Sequence, residues 1–264
     1  MLQTPTKEKM TQMKLYGMGE AFERITGQAM EQKLAYSDYA GLLIEEEWIS
    51  RENRKLKSRL KKATLKQEVC LEDLDYPSKR ELEKPFMEEL SSCRFIDQHK
   101  NVLITGPTGS GKSFLASALG HTACLKGFEV LYKRATQIFD KLLAARGDGS
   151  YARVFRQLVQ PDLLIIDDWG LKPLTPQDRS DLYEILEERY QKGALILTSQ
   201  IPVKDWIDTL GDPVIAEAIV DRLLHHSHKI ILKGEQGSYR KKMAEKKEGK
   251  TIEIQSPEKN KLHR

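Results

Sequence analysis

Asn101-Val-Leu-Ile-Thr-Gly106-Pro107-Thr108-Gly109-Ser110-Gly111-Lys112-Ser113-Phe-Leu-Ala-Ser-Ala-Leu-Gly120 is the stretch from which the rest of the chain can be read. Asn101–Thr105 is apolar and of strand length, and the residues after Lys112 carry a helical pattern. Between them the spacing GxxxxGK[ST] is complete, in the strand–loop–helix setting that gives it meaning. Glycines at 106, 109 and 111 let backbone N–H groups turn inward around phosphate oxygens. The following helix start adds partial positive charge. Lys112 can reach β- and γ-phosphates, and the Ser113 hydroxyl can ligate Mg²⁺. Gly106–Ser113 therefore predicts a site for ATP with Mg²⁺.

Working outward, Leu163-Leu-Ile-Ile-Asp167-Asp168 delivers two carboxylates at the end of an apolar run. Ligands bind at the carboxyl ends of strands in α/β sheets. Asp167 is expected to hold Mg²⁺, directly or through water, and Asp168 to polarise an attacking water. Thr198-Ser199-Gln200 ends another apolar run, where a polar side chain either orients that water or simply caps the strand. Strands are expected at Asn101–Thr105, Phe128–Tyr132, Leu163–Ile166, Ala194–Thr198 and Lys229–Leu232, with helices between them. The clearest helix is Pro176–Lys192, with Leu182, Ile185, Leu186 and Tyr190 on one face and Gly193 as its stop. This alternation predicts an α/β core, a parallel sheet covered on both faces.

Residues 1–66 read differently. Leu15, Met18, Phe22 and Ile25 recur at helical spacing, as do Tyr39, Leu42, Leu43, Trp48 and Ile49. A small all-helical N-terminal domain is expected, its last helix starting near Ser37 and Asp38. That helix runs on through Arg51, Arg54, Lys55, Lys57, Arg59, Lys61, Lys62 and Lys66 against one acid, Glu52. Arg51, Arg54, Lys55, Lys62 and Lys66 fall along one side, with Lys57, Arg59 and Lys61 spread around it. Such a run is either a solvated face or a surface for duplex phosphates. Few aromatics interleave, so stacking on single strands has less support. Residues 67–240 are expected to form the ATPase domain, and 241–264 a lysine-rich flexible tail.

Bulk properties set the remaining limits. The chain has 264 residues, 39% hydrophobic and 31% charged, enough for a real core under a polar surface. A net charge of +4 does not by itself demand a nucleic-acid partner. Three scattered cysteines without a CxxC fit reduced thiols. No apolar run approaches the roughly 18 residues of a membrane span, and the opening residues lack a signal peptide's apolar stretch. A cytoplasmic protein is expected.

Two further groups read two ways. Arg222, in Asp221-Arg222-Leu-Leu, is either an arginine finger completing a neighbour's site or a cation near a helix C-terminus. His225, His226 and His228 lack metal-ligand spacing, and a turn or phosphate contacts suit them better.

Taken in order, the helical N-domain, the phosphate loop, LLIIDDWG, LTSQ, DRLLH and GSYR resemble the IstB-type transposition helper ATPases of insertion sequences, relatives of DnaC-type helicase loaders in the AAA+ superfamily. The resemblance runs from about Tyr36 to Arg240, and EEEWISRENRKLKSRLKKA with DDWG and SYR is its more specific part. It implies Walker A roles for Lys112 and Ser113 and Walker B roles for Asp167 and Asp168. Gln200 falls at the sensor-1 position, Arg222 in the arginine-finger box, and Arg240 at an arginine near the nucleotide. Two departures bear on hydrolysis: Gln200 replaces a shorter amide, and Asp168 stands where many AAA+ proteins have glutamate. The implied protein is a homo-oligomer that assembles with ATP on double-stranded DNA, through Arg51, Arg54, Lys55, Arg59 and Lys62, and assists a transposase. A helicase loader and a small-molecule P-loop kinase are the alternatives, the basic helix arguing against the latter.

Overall fold

The computed structural model divides into two units, one running to Lys62 and the other beginning at Ala63; residues 3–67, 69–71 and 84–233 are described. Arg240 and the tail from 241 lie outside them.

The first unit is helical, with α1 Gln3–Gln12, α2 Tyr16–Gln32 and α3 Tyr36–Ala63. Its small core is Ala21, Ile25 and Leu43, flanked by Met18, Phe22 and Tyr39. Leu42, Trp48 and Ile49, expected on that apolar face, are exposed. Helices α2 and α3 approach closely at Gly17, where an added Cβ would sit 2.4 Å from the Ser50 Cβ and 2.5 Å from the Glu46 carbonyl oxygen. Next to this crossing the Met18 N–H donates to the buried Glu47 carboxylate (3.2 Å), tying the start of α2 to α3.

The second unit follows the order α4 Lys84–Ser91, α5 Arg94–Asp97, β1 Asn101–Thr105, α6 Lys112–Leu125, β2 Val130–Arg134, α7 Ala135–Gly147, α8 Tyr151–Val159, β3 Leu163–Trp169, α9 Pro176–Arg189, β4 Ala194–Ser199, α10 Trp206–Leu210, α11 Pro213–Leu224 and β5 Ser227–Ile231. The five strands among the described residues are all parallel, in the order β2-β3-β4-β1-β5. Strands buried on both faces read as unbroken apolar runs, and β3 and β4 are of that kind. Leu103, Leu164, Ile166, Leu195 and Leu197 face a core built with α7 to α11. On the other face α6 lies so near the sheet that a Cβ on Gly120 would meet Ile165 Cδ1 at 2.7 Å. That crowding explains why α6 is made of small residues and is buried almost all round.

Helix starts carry their expected chemistry. Thr175 and Asp178 form a capping box at α9, and Asp212 accepts from the Val214 and Ile215 N–H groups at α11. The end of α9 differs from the sequence reading. The helix stops at Arg189, Gln191 takes the left-handed conformation (φ 57°), and Gly193 does not. Gly193 is instead needed for space, because a Cβ there would sit 2.7 Å from Arg189 Nη2. Arg189 is buried and donates to the carbonyls of Leu158, Val159, Pro161, Asp162 and Ala194, fastening α9 to the turns around it. Strand β2 starts two residues later than expected and reaches Arg134; β5 is Ser227–Ile231 rather than 229–232.

Candidate nucleotide site

Because β4 stands between β1 and β3, the carboxyl ends of all three strands converge on one spot. Gly106 begins the phosphate loop there, with φ 150° and a Leu232 carbonyl oxygen only 2.3 Å from where a Cβ would be. No other residue could hold the chain so close to β5. Gly111 (φ 97°) turns the loop into α6. Lys112 folds back on the loop, its ammonium donating to the carbonyls of Gly106 (2.7 Å) and Pro107 (2.8 Å). Burial draws its pKa below the ordinary lysine value, against the pull of Asp168 and Asp167. Ser110 Oγ is buried without a hydrogen-bond partner among the described residues, which suits a loop shaped for an anion with oxygen acceptors.

Asp167 is fully buried at the end of β3. Ser113 Oγ donates to it from α6, 2.8 Å from both carboxylate oxygens. Thr198 of β4 donates to Oδ1, and Tyr132 of β2 donates to Oδ2. The Lys66 ammonium lies 3.0 Å from Oδ2 and 3.1 Å from Ser113 Oγ. Burial opposes ionisation of Asp167, but the hydrogen bonds from Thr198, Tyr132, Lys66 and Ser113 outweigh it and hold the carboxyl below the usual aspartate range. The group is therefore an anion at neutral pH. A serine hydroxyl beside a carboxylate is the oxygen donor set that suits Mg²⁺.

Asp168 is the next residue but faces a different way, partly exposed at the rim. Its backbone is left-handed (φ 60°), which aspartate tolerates better than most residues. Its N–H donates to Thr198 Oγ1 (3.1 Å), so one hydroxyl serves both acids of the pair. Arg134 Nε and Lys66 Nζ each lie 3.9 Å from its Oδ2. Gln200 reaches the loop itself, where the Thr108 hydroxyl donates to Gln200 Oε1 at 2.6 Å. The structure thus brings together Thr108, Lys112, Ser113, Asp167, Asp168 and Gln200. It adds Lys66, Tyr132, Arg134 and Thr198, to which the sequence reading gave no role in holding the acids.

Arg222 is not brought to this site. It sits in the last turn of α11, and its carbonyl accepts from the Asn101 side chain (3.2 Å), at the amino end of β1. The phosphate loop leaves the other end of that strand, roughly 13 Å away at about 3.3 Å per residue. The guanidinium donates to Glu187 and to the Tyr183 hydroxyl (3.1 Å) and lies over the Tyr183 ring. Its side chain keeps 23% exposure, so it is held yet reachable.

On α3 the basic run has more acidic company than its own segment suggests. Arg51 Nε donates to Glu47 (2.7 Å), with Arg54 also against Glu47 (3.4 Å) and over the Tyr16 ring. Lys55 pairs with Glu52 (2.8 Å). Arg59 and Lys62 lie on the same helix. Lys66 does not. Helix α3 ends at Ala63, Thr64 takes φ 51°, and its hydroxyl donates to the Tyr132 carbonyl (3.0 Å). The histidines form no ligand cluster, and no group of three metal-binding side chains occurs among the described residues. No helix among them is long and apolar enough to cross a membrane.

With this geometry in view, the family described as IstB-like ATP binding protein matches residues 8–247. The chain belongs to that family. An insertion-sequence ATP-binding protein of Sinorhizobium fredii is 47% identical over 235 residues, covering 89% of this chain and 96% of the relative. The IS21 ATP-binding protein of Pseudomonas aeruginosa is 34% identical over 233 residues, covering 88% and 87%. Among solved structures, AMPPCP-bound DnaA from Aquifex aeolicus superposes with a TM-score of 0.57 at 18% identity, over 73% of this chain and 58% of that one. That likeness, at 18% identity, is one of fold.

Proposed function

We propose that the chain is an Mg²⁺-dependent ATPase that assembles on double-stranded DNA and assists a transposase. One observation carries the enzymatic half: the loop serine and the buried strand aspartate meet at 2.8 Å, beside a lysine poised on the loop. Ser113 and Asp167 would hold Mg²⁺, which when bound supplies positive charge to the phosphates. Lys112 exchanges its bonds to Gly106 and Pro107 for phosphate oxygens. Asp168, at the rim, accepts the proton of the attacking water, and Gln200 steadies that water beside the loop. Arg222 lies too far from its own loop to serve it and completes a neighbour's site. The test is Lys112→Ala. Calorimetry should show ATP affinity falling by about a hundredfold, since the site loses its only loop cation and its charge-assisted hydrogen bonds; a change within about threefold would overturn the assignment.

The DNA half rests on α3 and on the insertion-sequence context of the relatives. Arg51, Arg54, Lys55, Arg59 and Lys62 occupy one continuous helix and offer cations to a duplex backbone. Arg51 and Arg54 also hold Glu47 in place, so removing them would disturb the helical unit itself. Lys55→Ala with Lys62→Ala avoids that. The double variant should bind duplexes of any sequence more weakly, with the salt slope of log affinity reduced by about 2 units. Fluorescence anisotropy across a salt series measures it, and an unchanged slope would place the DNA surface elsewhere.

A further inference from the structure

Lys66 is the feature that this reading leaves unused. Its side chain is mostly covered, and its ammonium is the one lysine group in contact with both Ser113 and Asp167 among the described residues. It comes from the segment that follows α3 rather than from the sheet or the loop. The carboxylate it touches is already crowded. Oδ1 accepts from Ser113 and Thr198, and Oδ2 from Ser113, Tyr132 and Lys66. A divalent ion bound directly to this carboxylate would lie roughly 2.1 Å from an oxygen and compete for that oxygen's free side with an ammonium at hydrogen-bond distance. Some donor has to leave. Thr198 and Tyr132 are fixed in β4 and β2 within the sheet, and Ser113 is itself the other ligand. Lys66 is the donor that can move.

We propose that Lys66 is a resident cation of the nucleotide site that competes with Mg²⁺ for Ser113 and Asp167. This rests on the reading of the site as an ATP·Mg²⁺ site. While the lysine is docked it neutralises the buried acid and keeps the serine–aspartate pair closed. When Mg²⁺ arrives with the nucleotide, the ammonium is expelled, and two cations never share the carboxylate. The lysine therefore weakens metal binding and makes it conditional on nucleotide. Each shift toward the metal-bound form also releases the segment directly behind α3, since coupling between two ligands of one group is reciprocal.

The experiment compares the affinity of a fluorescent ATP analogue with EDTA and with saturating Mg²⁺, in wild type, Lys66→Met and Lys66→Arg. The quantity read is the ratio of the two dissociation constants, which reports the metal's contribution. In Lys66→Met the ratio should rise about tenfold or more, as expected for loss of a competing charge-assisted hydrogen bond. Lys66→Arg, which keeps a cation, should stay near wild type. If Lys66→Met melts below the assay temperature, Lys66→Gln carries the same comparison. A ratio within about threefold of wild type, or lower, would overturn the role given to Lys66. A wild-type chain that binds no nucleotide under either condition would instead overturn the site's assignment.

Discussion

Arg222→Ala is expected to bind ATP as the wild-type chain does and to hydrolyse it on the order of 10³-fold more slowly. Binding should survive because the side chain lies at the amino end of β1, away from its own loop. Hydrolysis should fail because charge developing on the γ-phosphate loses a guanidinium supplied by the next subunit. The arginine leaves Glu187 and Tyr183, which hold it in the single chain, to make the cross-subunit contact, and losing that contact should weaken assembly as well. Mixing supplies the decisive comparison. Arg222→Ala subunits have intact loops, and Lys112→Ala subunits have intact arginines. Their mixed interfaces should regain phosphate release that neither variant shows alone. Assemblies proven to contain both, yet inactive at every ratio, would rule out service in trans.

Asp168→Asn should leave nucleotide affinity within about threefold of wild type and lower turnover by a factor of about 10² to 10⁴. The amide fills the same space and cannot accept a proton. Asparagine also tolerates the left-handed backbone that this position requires, so the strand end should keep its shape. The N–H that engages Thr198 is unaffected, and with it the bond from Thr198 to Asp167. Single-turnover phosphate release measures the effect. Turnover like that of wild type would mean the proton goes elsewhere. Arg134 and Lys66 beside this acid give a reason for its shortness: an aspartate at the rim already stands close to two cations.

The phosphate loop and the acid pair were legible because each is a local pattern, glycines at fixed offsets in one case and an apolar run ending in acids in the other. The strands are legible for the same reason, although the apolar pattern puts β2 two residues early and leaves Arg134 out of the strand. What the sequence does not carry is strand order. Tyr132, Arg134 and Thr198 gain their roles only because β2 and β4 lie on either side of β3. Lys66 was misplaced for a different reason. Its i+4 spacing from Lys62 continues the helical basic run, and neither glycine nor proline marks the break. The helix ends because Thr64 adopts a strained left-handed turn secured by the Tyr132 carbonyl, a partner 68 residues away. Gly193 shows the opposite error: a glycine in a stop position whose purpose is space for Arg189. Arg240 falls outside the described residues.

The placement of Arg222 and the phosphate loop at opposite ends of one strand also bears on the assembly that the proposed service in trans would build. Made head to tail, a contact that joins one subunit's arginine to the next subunit's loop gives every subunit one arginine side and one loop side. Repeated, it closes into a ring or continues as a helix. In a helical assembly the two ends are chemically distinct. One terminal subunit presents an arginine with no nucleotide to act on, and the other holds a nucleotide that no arginine reaches. Turnover is then confined to interior joints, and the nucleotide at the uncapped end outlasts the rest. Such a filament has a direction, because each joint runs from one subunit's arginine to the next subunit's loop.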